Sequence, residues 1–345
     1  MNIKNKLIEN ISIDELKSYL LEKGFKPNNR IIFSLDCDRT IVNRAISSHF
    51  VSDEVITVLS KLKFNPSIIT VINTGRDITS YNPLENMLGE LPGIYLSGRV
   101  IKYNNNIEVI NEGIIEESLK NKLWELFSNN IIPFLDIKHK NGAIYFAYKN
   151  RNLEQYLGHH RPLDWFDLVK KNIIYADENE EAYKLYNDLV ILRAEIPFIE
   201  DYVNNTFNIT KEKNFLSAKD ALYKLLNLPQ EYPLHFSMLT SPKTRTLDNI
   251  VTIKLLFNNH YVNKGLGLKI FAEELGVNGE NIFSFGDSAD LSTNDCSIKD
   301  YLPGAHLFIT EDGDEAAKSV ADYIISSVIN NGVPKAIEKI LRAIS

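Results

Sequence analysis

The segment Ile31-Ile32-Phe33-Ser34-Leu35-Asp36-Cys37-Asp38-Arg39-Thr40 decides how this chain folds. Its first five residues form a short apolar run, which is typical of a strand buried on both faces of a parallel sheet. Two carboxylates, Asp36 and Asp38, follow that run directly. Open parallel sheets bind ligands beyond the carboxyl ends of their strands. The segment therefore predicts an α/β fold with polar chemistry at the end of its first strand.

Helices and strands alternate on both sides of a long central stretch. Before that stretch, Ser52 caps a predicted amphipathic helix, and an apolar strand follows at 67–72. After it, a helical face ends at Gly276, and further strands are predicted at 282–285, 305–309 and 322–325. Repeated strand, helix, strand units indicate a Rossmann-like parallel sheet.

The central stretch has a different pattern, which indicates an inserted α+β domain. A longer amphipathic helix is predicted at 115–128, with strands at 143–148 and 250–257. We assign residues 113–256 to this insertion, and residues 1–112 and 257–345 to the core domain. Residues 1–30 form an N-terminal helical extension, in which Ser12-Ile13-Asp14-Glu15 has the capping-box pattern.

Composition excludes several classes of protein. The 345 residues are 44% hydrophobic and 24% charged, which is ordinary for a globular protein with two domains. The 38 basic and 45 acidic residues give a net charge of −7, whereas a dedicated nucleic-acid binder normally has the opposite sign. No apolar run approaches the roughly 18 residues of a membrane span. Two cysteines provide no disulfide framework, so we expect a cytoplasmic protein. From the net charge and the apolar runs we expect no nucleic-acid or membrane partner.

Four groups of polar residues suggest phosphoryl transfer. In the pair Asp36 and Asp38, one carboxylate can attack phosphorus while the other serves as acid and base. At the end of the second strand, Thr74 and Gly75 offer a hydroxyl and backbone amides at a predicted helix start, which suits phosphate oxygens. Lys264 offers a cation that offsets negative charge. An acidic loop begins at Asp287 and contains Asp290, Asn294 and Asp295, which suit Mg²⁺.

The order of these motifs resembles that of the haloacid dehalogenase (HAD) superfamily of phosphotransferases. Its four motifs are D-x-D-x-T, a Thr or Ser, a Lys, and an acidic loop of the form G-D-x-x-x-D. The insertion between the second and third motifs is similar to the type II, subclass B cap of Cof-like, sucrose-phosphatase-like and phosphomannomutase-like members. The resemblance covers the predicted core at both ends of the chain.

This resemblance implies a role for each motif residue. Asp36 is expected to be the nucleophile and a metal ligand, and Asp38 the general acid and base. Thr74, Gly75 and Lys264 are expected to bind the phosphoryl group. The expected metal set is Asp36, Asp38 and Asp287, with Mg²⁺ as cofactor.

Two positions depart from the family pattern. Many relatives have Gly after the second aspartate, where this chain has Arg39, which we interpret as a tolerated difference. The acidic loop is longer than usual, so the residue that supports the metal is left open among Asp290, Asn294 and Asp295, and we favour Asp295.

The sequence therefore predicts a Mg²⁺-dependent phosphatase that acts on a small phosphorylated metabolite, a sugar or polyol phosphate, through an aspartyl-phosphate intermediate. Two alternatives remain. A phosphomutase of the phosphomannomutase type is suggested by the lengthened acidic loop. A non-catalytic binding protein on the same fold is the other, and the intact motif residues argue against it.

Overall fold

The computed structural model describes residues 6–110, 114–132, 134–149, 170–177, 180–199, 223, 224, 226, 234–240, 250–257, 262–289 and 294–345. The chain divides into two compact units. The core unit comprises Met1–Arg76, Tyr81–Ile110 and Tyr261–Ser345, and the inserted unit comprises Asp77–Ser80 and Asn111–His260.

Fourteen strands lie within the described residues. In chain order they are β1 (Ile31–Leu35), β2 (Ile68–Asn73), β3 (Gly93–Tyr95), β4 (Val100–Tyr103), β5 (Asn106–Val109), β6 (Phe134–His139), β7 (Gly142–Ala147), β8 (Ile173–Tyr175), β9 (Arg193–Ile199), β10 (Leu234–Thr240), β11 (Ile250–Phe257), β12 (Ile282–Gly286), β13 (His306–Thr310) and β14 (Tyr323–Ile325).

The helices that the description covers are α1 (Ile13–Glu22), α2 (Asp53–Lys63), α3 (Ile78–Leu88), α4 (Glu117–Ser128), α5 (Glu180–Asp188), α6 (Lys264–Glu274), α7 (Ser297–Tyr301), α8 (Glu315–Val320) and α9 (Gly332–Ile344). The predicted capping box is confirmed at the start of α1: Glu15 N–H donates to the Ser12 hydroxyl, and Ser12 N–H donates to the Glu15 carboxylate.

The core unit contains an eight-stranded sheet in the order β14-β13-β12-β1-β2-β3-β4-β5. The first six strands of this order pair in parallel, and every residue of β1 is buried. Apolar side chains of β1, β2, β12 and α6 share one hydrophobic cluster. The predicted Rossmann-like parallel sheet is confirmed, and β1 lies at its centre because its apolar run can be covered on both faces.

The edge of this sheet differs from the sequence interpretation, which had no hairpin there. β4 pairs antiparallel with both β3 and β5. Asn104 and Asn105 connect β4 to β5 with φ of 48° and 65°, the left-handed conformation that asparagine tolerates better than most residues. Two such residues in succession match the twist of a tight hairpin.

The inserted unit contains a second sheet of six strands in the order β10-β11-β9-β6-β7-β8. It is antiparallel except for the pair β7 and β8. One hydrophobic cluster joins α4, α5 and this sheet, with Leu123, Phe127, Phe146 and Tyr186 among its buried members. The predicted α+β character of the insertion is therefore confirmed.

Candidate active site

The motif residues of the core unit lie at the carboxyl ends of three adjacent strands. Asp36 follows β1, Thr74 follows β2, and Asp287 follows β12. Because neighbouring parallel strands end at the same edge of a sheet, segments far apart in sequence meet there. Lys264 joins them as the first residue of α6, where the Asn263 side chain caps the helix by accepting from Leu266 N–H at 3.0 Å.

The loop after β1 is a tight turn that buries the Asp36 carboxylate. Asp36 N–H donates to the Phe285 carbonyl of β12 at 2.9 Å, and the amides of Ile41 and Val42 both donate to the Cys37 carbonyl. The Thr40 hydroxyl donates to Asp36 Oδ2 at 3.1 Å. The spacing D-x-D-x-T therefore has a local reason, because the turn returns the threonine to the first aspartate.

Lys264 lies between two carboxylates. Its Nζ is 2.6 Å from Asp36 Oδ1 and 2.6 Å from Asp295 Oδ1, and its side chain is 1% exposed. Burial lowers the pKa of Lys264, but Asp295 and Asp36 more than reverse that effect, so the pKa is raised and the ammonium stays charged. Asn73 Nδ2 donates to the Lys264 carbonyl at 3.2 Å and so ties the end of β2 to the start of α6.

Asp295 organises the acidic loop. Its Oδ2 accepts the backbone N–H groups of Asp287 and Ser288, each at 3.0 Å, while its Oδ1 accepts from Lys264. A Cβ on Gly286 would lie 2.2 Å from the Asp295 carboxyl carbon, so only glycine at this position admits that carboxylate.

Asn294 and Asp290 are the other two acidic-loop residues considered as supports for the metal. Asn294 Oδ1 accepts Ser297 N–H at 3.1 Å and so supports the start of α7. Asp290 lies outside the described residues. Of the two that the structure describes, Asp295 is the one that lies with Asp36 and Asp287.

Asp36, Asp287 and Asp295 form a buried carboxylate cluster, in which one oxygen from each lies within 4.8 Å of the others. Burial, followed by the charges of Asp36 and Asp295, raises the pKa of Asp287 to about 8. Burial also raises the pKa of Asp36 to about 7, and Lys264 opposes that rise. Carboxylate oxygens are the ligands that Mg²⁺ prefers, and a cation here would relieve the crowding of like charges.

Asp38 lies apart from this carboxylate cluster and is paired with arginine. Arg76 Nη2 is 2.5 Å from Asp38 Oδ1 and its Nε is 3.2 Å from Oδ2, while Arg44 Nε lies 3.6 Å from Oδ1. Burial raises the pKa of Asp38, but Arg76 overcomes it and the net shift is downward. From its place in T-G-R, sequence reasoning expected Arg76 to support the loop rather than to touch substrate, and it did not foresee the pair with Asp38. Asp38 as a metal ligand stays a prediction.

Thr74 is 1% exposed and begins the segment that ends at Arg76. Its N–H donates to the Ile94 carbonyl of β3 at 2.8 Å, and its hydroxyl accepts Arg76 N–H at 3.2 Å. Gly75 lies between them, half-buried, directly after β2. The structure therefore places these two of the three predicted phosphate-binding residues at the strand end next to Asp36.

Arg39 has a partner that the sequence interpretation did not foresee. Its Nε lies 3.0 Å from Asp287 Oδ2, and its backbone has φ of 65°. Few residues other than Gly, Asn and Asp adopt that left-handed conformation. Arg39 is therefore part of the acidic site and not merely a substitute for glycine.

Comparison with known proteins agrees with this geometry. The family model of haloacid dehalogenase-like hydrolases matches residues 33–337. The chain belongs to this family. The family predicted from the motif order is thus confirmed, and no curated protein matches the chain.

Solved structures of other haloacid dehalogenase-like proteins share the fold. One, a haloacid dehalogenase-like hydrolase from Bacteroides thetaiotaomicron, is 17% identical with a TM-score of 0.63, covering 90% of this chain and 100% of its own. A phosphatase from the same organism is 19% identical with a TM-score of 0.57, covering 92% and 96%. A subclass IIB sugar phosphatase is 12% identical with a TM-score of 0.57, covering 91% and 100%. At these identities the likeness concerns the fold.

The site of this haloacid dehalogenase-like hydrolase separates two kinds of carboxylate. Asp36 and Asp287 are buried beside Lys264, where they suit a cation and a phosphoryl group. Asp38 differs from them, because Arg76 overcomes the effect of burial and lowers its pKa. Environments that push two carboxylates apart in pKa are characteristic of acid and base pairs. None of the helices described here is long and apolar enough to span a membrane.

Proposed function

We propose that this hydrolase is a Mg²⁺-dependent phosphatase that releases phosphate from a small metabolite, a sugar or polyol phosphate, through an aspartyl phosphate. The observation that carries the proposal is the position of the Lys264 ammonium, 2.6 Å from both Asp36 and Asp295, with Asp287 in the same buried cluster. A nucleophilic carboxylate beside fixed positive charge is what phosphoryl transfer needs, because catalysis there is mainly positioning and charge stabilisation.

In the first step an Asp36 carboxylate oxygen forms a bond to phosphorus as the bond from phosphorus to the leaving oxygen breaks. Asp38 gives its proton to the departing alkoxide. Arg76 favours this transfer, because the carboxylate that forms on Asp38 meets the guanidinium at 2.5 Å. Lys264 offsets the negative charge on the phosphoryl group and holds Asp36 in place.

In the second step Asp38 accepts a proton from water as the water oxygen attacks phosphorus. The bond between phosphorus and Asp36 breaks, inorganic phosphate forms, and Asp38 is protonated again. One aspartate therefore serves as acid in the first step and base in the second. Thr74 and the amide of Gly75 bind phosphoryl oxygens throughout.

Asp36 and Asp287 are the residues that would hold Mg²⁺. The ion supplies charge stabilisation to the transferring phosphoryl group. Asp295 contributes less directly, since its two oxygens already accept Lys264 and two backbone amides. It acts by orienting Lys264 and the loop that carries Asp287.

A small sugar or polyol phosphate is favoured as the substrate class by two observations. The chain carries an inserted unit with its own six-stranded sheet, and family members use such insertions to select small substrates. A subclass IIB sugar phosphatase also shares the fold over 91% of this chain.

Phosphate release from a panel of sugar phosphates, polyol phosphates and nucleotides tests the proposal, with Mg²⁺ and with chelator. We expect Asp36→Asn to lower release by at least about 10³-fold, because the nucleophile is lost. Asp53→Asn, an exposed change in the first turn of α2, is the matched control and is expected to keep full activity.

Each other outcome has a definite meaning. Release that survives Asp36→Asn would contradict the nucleophile assignment. A requirement for a sugar bisphosphate activator would favour the phosphomutase. Absence of turnover of every compound, with intact phosphate binding, would favour a binding protein.

A further inference from the structure

Arg39 is the one cation that contacts Asp287 among the ion pairs of the described residues. Its Nε lies 3.0 Å from Asp287 Oδ2, and the Asp287 side chain is 8% exposed. We propose that Arg39 is the resident counter-ion of Asp287, and that a divalent cation binds by displacing its guanidinium. The proposal concerns how this chain controls metal binding, and rests on the proposed use of Mg²⁺ but not on the substrate.

The backbone of Arg39 has a conformation that arginine rarely adopts. A φ of 65° is unfavourable for a long side chain, since the Cβ approaches the following carbonyl oxygen. The turn itself needs this conformation, because Arg39 N–H donates to the Val42 carbonyl at 3.0 Å. Glycine would satisfy the turn without strain. An arginine here adds what glycine lacks, which is a positive charge on Asp287.

The guanidinium has a second set of acceptors close by. Arg39 Nη2 donates to the Asp312 carbonyl at 3.2 Å and lies 3.9 Å from Asp314 Oδ1. The other oxygen of Asp314 accepts from the Ser288 hydroxyl and from Ala289 N–H, so the Asp314 carboxylate is fixed beside the acidic loop. A guanidinium that leaves Asp287 therefore keeps an anionic partner.

The exposure of the two partners makes displacement feasible. The Arg39 side chain is 48% exposed, whereas Asp287 is buried and shares its cluster with Asp36 and Asp295. Arg39 and a divalent cation carry charge of the same sign, so binding both at one carboxylate oxygen is unfavourable. Releasing an exposed arginine to water costs little, because exposed ion pairs contribute little free energy. The cation gains a buried site in exchange.

Calorimetric titration with MgCl₂ tests this exchange without any turnover. We expect Arg39→Asn to bind Mg²⁺ about 3- to 10-fold more tightly than wild type, since no counter-ion has to leave. Asparagine is chosen because it tolerates the left-handed backbone. Arg39→Lys keeps the charge but not the planar fork, and its affinity is expected to fall between the two.

Two control variants show whether the measured heat comes from Mg²⁺ binding at Asp287. Arg342→Asn removes the same charge from an exposed position of α9 and is expected to leave the affinity within about twofold of wild type. Asp287→Asn removes the carboxylate for which Arg39 and Mg²⁺ compete, and it is expected to abolish Mg²⁺ binding. Unchanged or weaker Mg²⁺ binding by Arg39→Asn would overturn the proposal.

A measurement on the wild-type protein removes any dependence on how the variants fold. The ¹⁵N resonance of Arg39 Nε is expected to move on saturation with Mg²⁺, and that of Arg342 to stay in place. An Arg39 resonance that does not respond would also overturn the proposal. Mg²⁺ binding with this behaviour but no phosphate release would reject only the proposed function, whereas no Mg²⁺ binding to either protein would reject both.

Discussion

Each unit of the protein contains a buried lysine between two aspartates. In the core unit, Lys264 Nζ lies 2.6 Å from both Asp36 and Asp295. In the inserted unit, the Nζ of a second lysine, Lys138 on β6, lies 2.6 Å from Asp136 Oδ1 and 3.4 Å from Asp77 Oδ2. Both lysines are 1% exposed. The same local pattern therefore occurs twice among the described residues, and sequence analysis singled out only the first lysine, Lys264.

The surroundings separate the two lysines. Lys264 has a third carboxylate nearby, Asp287, which is also paired with Arg39, so two cations share three carboxylates there. Excess negative charge at strand ends suits a metal ion. The third carboxylate, rather than the ion pair itself, therefore distinguishes this site.

Around Lys138 the charge is used structurally. Asp77 caps α3, accepting Ser80 N–H at 3.0 Å and the Ser80 hydroxyl at 2.7 Å, and a helix N-terminus favours a negative charge. Tyr145 adds its hydroxyl at 3.3 Å and its ring at 5.1 Å from Lys138 Nζ. We therefore interpret the Lys138 pair as the anchor that binds Asp77–Ser80 to the sheet of the inserted unit.

The sharpest difference should appear in catalysis. Lys264→Met is expected to lower phosphate release by about 10³-fold, because one fixed charge on the transferring group is lost. Lys138→Met, the matched change in the other unit, is expected to lower it by less than about tenfold. Equal losses in the two variants, measured where circular dichroism shows both folded, would end the distinction.

The Lys138 substitution should instead lower the stability of the inserted unit. Lys138→Met removes a cation from two buried carboxylates, so it is expected to lower the free energy of unfolding by about 3 kcal/mol. Urea unfolding followed by tryptophan fluorescence measures this, since both tryptophans, Trp124 and Trp165, belong to the inserted unit. Lys140→Met, at the exposed turn after β6, is the control, and a loss of similar size there would refute the anchor.

Metal addition should distinguish the two acidic environments. At a hundredfold excess over its dissociation constant, Mg²⁺ is expected to raise the free energy of unfolding by about 2.7 kcal/mol relative to chelator. Asp287→Asn should abolish this increment, and Asp77→Asn should preserve it. If the stabilisation by Mg²⁺ depends on Asp77 instead, the ion binds in the inserted unit and the assignment to Asp287 is wrong.

The smallest effects concern a hydroxyl that holds an aspartate in each unit. Thr40 donates to Asp36 Oδ2 at 3.1 Å, and Ser80 donates to Asp77 Oδ2 at 2.7 Å. Each bond contributes about 1 kcal/mol. We expect Thr40→Val to slow phosphate release about fivefold and Ser80→Ala to appear only in the urea midpoint. If Ser80→Ala slowed phosphate release, the distinction between the two units would be contradicted.

The central strands were predictable because their apolar runs are strong local signals. The strand expected over the first five residues of the opening segment is β1, and those expected at 67–72 and 282–285 are β2 and β12 to within one residue at each end. The position of Asp36 follows from β1. The hairpin of β4 and β5 was missed because its strands are short and its outer strand is largely exposed, so no apolar run marks it.

The polar pairs of the site were less predictable. Arg39 was interpreted as a tolerated difference and Arg76 as a support for its loop, yet both are paired with aspartates. Lys138 and Asp77 meet although they are far apart in the sequence. Such pairs depend on which strands become neighbours, which hydrophobic periodicity does not specify. The motif order located the aspartates but not the arginines that control them.

The central strand β1 pairs with β2, which follows soon after it, and with β12, which begins only at Ile282. At about 5–20 residues per second, a ribosome needs roughly 10–50 s to make the chain between them. During that interval the inserted unit can form, while β1 has an unpaired edge exposed to other nascent chains. We therefore expect a chain that stops before β12 to aggregate through that edge rather than retain a partial site.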